Sequence, residues 1–180
     1  MGLLSNRISR DELCPGDHIY AHRHGHAYSH HGIFVGEDRV IHFNSTNGPK
    51  SVPTSSSSST EPPCGKCGHD PKTNGGGLLR TCIDCFLKDH HLHRFEYGVS
   101  RSHFILKLKG TCSTEDCDPN ETAVSRATEN FNNGEGFGVY QLRDNNCEHF
   151  ACYCKTGRRV SEQTTSKTTM FVSFFHSKSS

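Results

Sequence analysis

The sequence contains no tryptophan, and only 32% of its 180 residues are hydrophobic. That is enough apolar material for one domain with a modest core, but not for packing along the whole chain. No apolar run approaches the roughly 20 residues that cross a bilayer, and the N-terminus lacks the apolar centre of a secretory signal peptide. We therefore expect a cytoplasmic protein with no transmembrane segment, whose contact with membranes is at most peripheral.

The chain also lacks a strong charge of either sign, because its formal net charge is +1. Such a balance gives no broad attraction for nucleic acid, so we expect no nucleic-acid partner. Ten cysteines in a chain without a secretory signal do not predict a disulfide framework, because the cytosol keeps thiols reduced. Metal binding and catalysis explain them better.

The hydrophobic pattern predicts an α+β fold, in which an antiparallel sheet packs against a few helices. Predicted strands are residues 17–21, 28–36, 39–43, 92–97 and 103–109. Predicted helices are residues 119–132 and a segment that begins at Cys147 and ends before Gly157. We divide the chain into an N-terminal segment (1–12), a domain (13–157) with a cysteine-rich insert (64–85), and a flexible Ser/Thr/Lys-rich tail (158–180).

A cysteine stands where a polar turn meets the last predicted helix, in the sequence NNCEHF from Asn145 to Phe150. The N-terminus of a helix carries unpaired backbone N–H groups and a partial positive charge, which stabilise a thiolate and can hold an oxyanion. We therefore predict that Cys147 is the nucleophile of a cysteine-dependent acyl transfer.

Histidines of the first predicted hairpin are candidates for the general base. Side chains alternate along a strand, so that His30 and His31 lie on opposite faces and at most one shares a face with His42. An odd-length turn would place Gly32 opposite His42 and make His30 its diagonal neighbour. A two-residue turn would instead pair Ile33 with His42 and favour His31. The pattern leaves both registers open.

Two CxxC pairs lie in the insert, Cys64 with Cys67 and Cys82 with Cys85, separated by 14 residues. This is the arrangement that wraps four thiolates around a tetrahedral zinc ion. Four protein ligands leave no position for water, so we predict a structural zinc rather than a catalytic one.

Taken together, these segments resemble the lecithin:retinol acyltransferase domain family, and within it the plant branch of NC domain-containing, lead-sensitive-like proteins. The resemblance covers residues 13–157 in the same order. Its motifs are CPGDHI at 14–19, YSHHGIFVG at 28–36, His42 twelve residues after His30, FEYG at 95–98 and NCEHF at 146–150.

The resemblance implies a permuted relative of the NlpC/P60 and papain-like hydrolases that moves acyl groups from lipids through a thioester. It makes Cys147 the nucleophile, His30 the base and His42 the group that orients the base. Tyr28 falls where relatives have a tyrosine near the site, which implies a supporting or oxyanion role. Catalysis of this kind needs no cofactor, and the expected partner is an acyl lipid or another acyl substrate.

Two functions compete on these residues. The first is a thiol acyltransferase or acyl hydrolase that works through a thioester on Cys147. The second is a catalytically silent protein that binds metal or a partner on the same scaffold, because a fold does not establish turnover.

Overall fold

The computed structural model describes residues 6–23, 27–45, 62–70, 76–107, 110–133 and 136–159. A serine-rich stretch in residues 51–60 and all but the first two residues of the predicted tail lie outside these ranges. Within them, no helix is both long and apolar enough to cross a membrane.

The α+β prediction is confirmed: an antiparallel sheet with strand order β4-β3-β2-β1-β5 packs against helices. Its strands are β1 His18–Arg23, β2 Tyr28–Gly36, β3 Arg39–Asn44, β4 Gly77–Cys82 and β5 His93–Arg94. The helices of the described ranges are α1 Ile83–Leu87, α2 Arg101–Leu106, α3 Asn120–Asn132 and α4 Cys147–Thr156, with a short 3-10 helix at Arg10–Glu12.

The turn between β2 and β3 contains two residues, Glu37 and Asp38, between the paired Gly36 and Arg39. Both turn residues have positive φ angles, 49° and 60°, as a type I′ hairpin requires. Such a turn matches the right-handed twist of the two strands, which explains why the hairpin forms here.

A bulge then changes the register of this hairpin. After Gly36 the next paired residue of β2 is Phe34, which lies opposite Val40, so Val35 is the extra residue. The shift of one position places Gly32 opposite His42. The two-residue turn and the bulge together thus give the strand register that was expected of an odd-length turn.

The sheet buries both of its faces. One face packs against α1, through Ile19, Ala21, Phe34, Val40, Ile83, Phe86, Leu87 and Leu92. The other packs against α3 and α4, through Ile33, Ile41, Phe43, Ala127, Phe137, Phe150, Ala151 and Cys154. Because side chains alternate along β2, His30 belongs to the α1 face with Phe34, and His31 to the α4 face with Ile33.

Both long helices were predicted, and α4 ends as expected at Gly157, whose φ angle is 73°. The predicted strand at 103–109 is wrong, because residues Arg101–Leu106 form a helix. Ser100 caps that helix by accepting a hydrogen bond from the His103 backbone N–H at 3.2 Å. The alternating apolar pattern was misleading, since Leu106 is 68% exposed.

The predicted strand at 92–97 is much shorter than expected, and only His93 and Arg94 pair with β1. Beyond them Glu96 makes an isolated parallel bridge with Cys112. The chain before the domain also packs here, because the Ile8 backbone N–H donates to the Leu92 carbonyl at 3.1 Å.

Candidate active site

Cys147 is the first residue of α4, and Asn146 caps that helix. The Asn146 side-chain oxygen accepts from the backbone N–H groups of Glu148 at 2.9 Å and His149 at 3.1 Å. Its amide group donates to the Leu142 carbonyl at 2.7 Å, which ties the preceding turn to the helix. The predicted position of Cys147 at the start of a helix is therefore confirmed, and the cap explains why the helix begins there.

The Cys147 thiol is buried, with 3% of the residue exposed. Burial raises the pKa of the thiol to about 11, although backbone N–H groups of His31, Glu148 and Cys147 itself act in the opposite direction. The sulfur donates to the Ser29 carbonyl at 3.8 Å. The resting group is therefore a protonated thiol that lies against the backbone of β2.

His30 and His42 form a hydrogen-bonded pair, with 2.9 Å between Nε2 of His30 and Nδ1 of His42. The other ring nitrogen of His42 lies 3.0 Å from the Thr81 hydroxyl. Burial, followed by the charge of His42, lowers the pKa of His30 well below its usual value, and burial lowers the pKa of His42 to about 3. Both imidazoles are thus neutral at physiological pH.

Of the predicted catalytic residues, the two histidines are hydrogen-bonded to each other, and among the described residues no hydrogen bond joins the Cys147 sulfur to either imidazole. The His30 ring lies 5.3 Å from the Phe86 ring, on the α1 face. The Cys147 sulfur contacts the main chain on either side of His30 from the α4 face, at the Ser29 carbonyl and the His31 backbone. The sulfur thus lies against the main chain that flanks His30 in β2.

A polar cavity of about 100 Å³ opens beside the histidine pair. Tyr28, the fourth predicted site residue, lines it and is 46% exposed. The remaining wall residues include Arg23, Asn44, His69 and Lys88. Cationic and imidazole side chains predominate, which suits a polar or anionic part of a substrate.

Sequence reasoning missed a chain of buried polar contacts on the α4 face. Tyr97 hydroxyl lies 2.8 Å from Nδ1 of His18, whose Nε2 lies 2.9 Å from Nδ1 of His31. The second nitrogen of His31 is 3.9 Å from a carboxylate oxygen of Glu148, beside Cys147. The signal was available only once the β1–β2 register was known, because that register makes His18 the diagonal neighbour of His31.

The four cysteines of the two CxxC pairs come together, and their sulfur atoms all lie within 4.8 Å of one another. Cys64 and Cys82 sulfurs are 3.8 Å apart, and Cys67 and Cys85 sulfurs are 3.7 Å apart. A regular tetrahedron with Zn–S bonds of 2.3 Å has edges of about 3.8 Å, whereas a disulfide is about 2.05 Å long. The donor set therefore fits a zinc ion and is not disulfide-bonded.

The protein is an α+β domain whose candidate site consists of a buried cysteine at a capped helix N-terminus and a histidine pair on the central hairpin. The chain belongs to the family described as Lecithin retinol acyltransferase, which matches residues 11–160. It is 45% identical over 174 residues to Protein LEAD-SENSITIVE 1 of Arabidopsis thaliana. That match covers 92% of this chain and 66% of the relative, so the chain spans just under two thirds of the relative's length.

Proposed function

We propose that this chain is a cysteine-dependent acyltransferase or acyl hydrolase that acts on acyl lipids. The single observation that carries the proposal is the position of Cys147 at the capped N-terminus of α4, in a family described by acyl transfer. Backbone N–H groups directed at the sulfur would stabilise the thiolate and, later, an oxyanion.

In the proposed reaction the Cys147 sulfur attacks the carbonyl carbon of an ester. A carbon–sulfur bond forms, the ester carbon–oxygen bond breaks, and the thiol proton passes through His30 to the departing alcohol. Water, an amine or an alcohol then attacks the thioester and returns the sulfur to the thiol. His42 holds the tautomer and orientation of His30 through their hydrogen bond.

The resting arrangement sets a condition on this mechanism. General-base catalysis needs the sulfur and the imidazole within hydrogen-bond reach, often attained only when substrate binds. Since no hydrogen bond joins the Cys147 sulfur to His30 in the resting arrangement, the proposal requires the two groups to approach each other in the substrate complex. Tyr28, the first residue of β2, would support the site.

Covalent labelling tests the proposal. An activated acyl ester should form a thioester on Cys147 that intact-protein mass spectrometry detects, and Cys147→Ser should abolish it. His30→Ala should lower the rate of acylation by roughly 10²-fold or more, the usual range for general-base catalysis. His31→Ala, on the other face, is the matched control, and loss of acylation in that variant alone would move the base to His31.

A second candidate is a catalytically silent metal-binding protein, which the four-sulfur cluster and the raised pKa of Cys147 favour. Metal titration followed by mass spectrometry, run beside the acylation assay, separates the two. One tightly bound metal per chain with no acyl adduct on Cys147 would replace the enzyme proposal by this one.

We also propose that the metal of this cluster is a structural zinc ion. The sulfur spacing and the four-thiolate donor set both suit zinc, and four protein ligands leave no place for a reacting water. Elemental analysis should find about one zinc per chain, and absence of metal together with a thermal melt unchanged by chelator would contradict this.

A further inference from the structure

Segment 62–70 carries Cys64 and Cys67, and none of its residues belongs to the described apolar clusters. Two hydrogen bonds that join it to the rest of the chain, Arg39 to the Lys66 carbonyl at 2.8 Å and Lys66 to Asp84 at 2.5 Å, are both exposed. Exposed polar contacts of this kind contribute little to stability. A metal on the cysteine sulfurs would add a strong link between this segment and the second CxxC pair.

The second CxxC pair is fixed independently of metal. Cys82 ends β4, and between the two cysteines Ile83 is buried in the α1 core with 1% of its surface exposed. Phe86, next to Cys85, is buried to the same extent. Its ring lies 5.3 Å from His30 and 5.4 Å from His42. Cys82 and Cys85 are thus held in place by the folded core of the sheet and α1.

Both halves of the cluster form walls of the histidine cavity. His69, two residues after Cys67, lines it from segment 62–70, and Cys85 and Phe86 line it from α1. His30 and His42 line the same cavity. A metal that joins the two cysteine pairs therefore also joins two walls of the space beside the proposed base.

We propose that zinc bound by the four cysteines holds segment 62–70 against the start of α1 and thereby closes the His30–His42 cavity. An effect of this closure on catalysis would rest on the proposed function of those histidines, but the closure itself does not. Loss of zinc would release segment 62–70 and admit water and reagents to both imidazoles. The sheet and α4 would stay folded, because their cores contain no residue of that segment.

The test measures access to the two imidazoles with diethyl pyrocarbonate, which acylates exposed neutral histidine. The full chain is compared as purified with zinc, after removal of zinc by a chelator, and after zinc is restored, with modification read by peptide mass spectrometry. Modification of His30 and His42 should be several-fold faster without zinc and should return to the original rate on restoration.

Two cysteine variants, one inside the cluster and one outside it, are measured in the same assay. Cys67→Ser removes a ligand outside the core and should give fast modification even with zinc present. Cys117→Ser changes an exposed cysteine outside the cluster and should behave as the parent chain. Far-UV circular dichroism of each sample reports whether the sheet and helices remain.

Each possible result tests a different part of the proposal. Absence of bound zinc in the parent chain overturns the metal site. Bound zinc whose removal leaves the modification rates unchanged overturns the closure of the cavity. Removal that unfolds the whole domain also overturns it, because the ion would then stabilise the fold as a whole. Neither the acyl substrate nor Cys147 enters these measurements, so failure of the enzyme proposal would be recorded separately.

Discussion

Gly32 lies directly opposite His42 in the ladder between β2 and β3. A Cβ atom at Gly32 would come within 2.8 Å of a Val40 methyl, 3.0 Å of the Phe86 ring and 3.1 Å of the His42 Cβ. The absence of a side chain there lets Phe86 reach both imidazoles of the pair. The glycine is thus part of how the histidine site is built.

We predict that Gly32→Ala destabilises the domain by about 1–3 kcal/mol, the usual cost of overpacking a core. The added methyl group must displace the Val40 side chain and crowds Phe86 and His42. Urea unfolding measures the loss, and Gly65→Ala is the control because nothing lies within 4 Å of its added Cβ. Equal stability of the two variants would contradict the close packing at Gly32.

Asn146→Ala should cost about 1–2 kcal/mol, because two backbone N–H groups of α4 lose their acceptor. The same change should slow acylation of Cys147, since the turn that positions the sulfur is released from Leu142. Thermal unfolding and the acylation rate provide the two readouts. Asn132→Ala, an exposed asparagine at the end of α3, should change neither.

Alkylation of Cys147 by iodoacetamide should be slow near neutral pH. With a pKa of about 11, the thiol is about one-thousandth ionised at pH 8, and the rate should rise with pH up to that value. Peptide mass spectrometry compares it with the exposed Cys14 and Cys117 in the same sample. Labelling of Cys147 as fast as theirs at pH 7 would show that the thiolate already exists in the resting protein.

Acidification below about pH 6.5 should destabilise the domain, because burial lowers the pKa values of His18, His30, His31 and His42. A lowered pKa means that the unfolded chain takes up protons first, so stability is full above 6.5 and falls as pH approaches 3. Each histidine contributes at most about 1.4 kcal/mol per pH unit.

Urea unfolding between pH 8 and pH 5 measures this dependence. His42→Gln, which keeps a polar partner for Thr81, should flatten the slope by about one proton. His90→Gln changes an exposed histidine and should leave the slope as it is. A stability that is constant over this range would mean that the four imidazoles are not held neutral by burial.

The sequence determined the parts of this protein that depend on local chemistry. Gly157 predicted the end of α4, and the CxxC spacing predicted the four-sulfur cluster. The same local reasoning failed at residues 101–106, where the Ser100 cap outweighed an alternating apolar pattern. Propensity and periodicity report what a segment prefers, but neither includes the neighbours that finally cover it.

Only the tertiary structure decided the strand register and which side chains share a face of the sheet. The bulge at Val35 selected Gly32 as the partner of His42, while the packing of α1 and α4 placed the His30 ring beside Phe86 and the Cys147 sulfur against the main chain of β2. No local pattern carries these facts, because a one-residue shift in register moves every side chain of a strand to the other face. The candidate residues of the site were thus named from the sequence, but their distances were set by long-range packing.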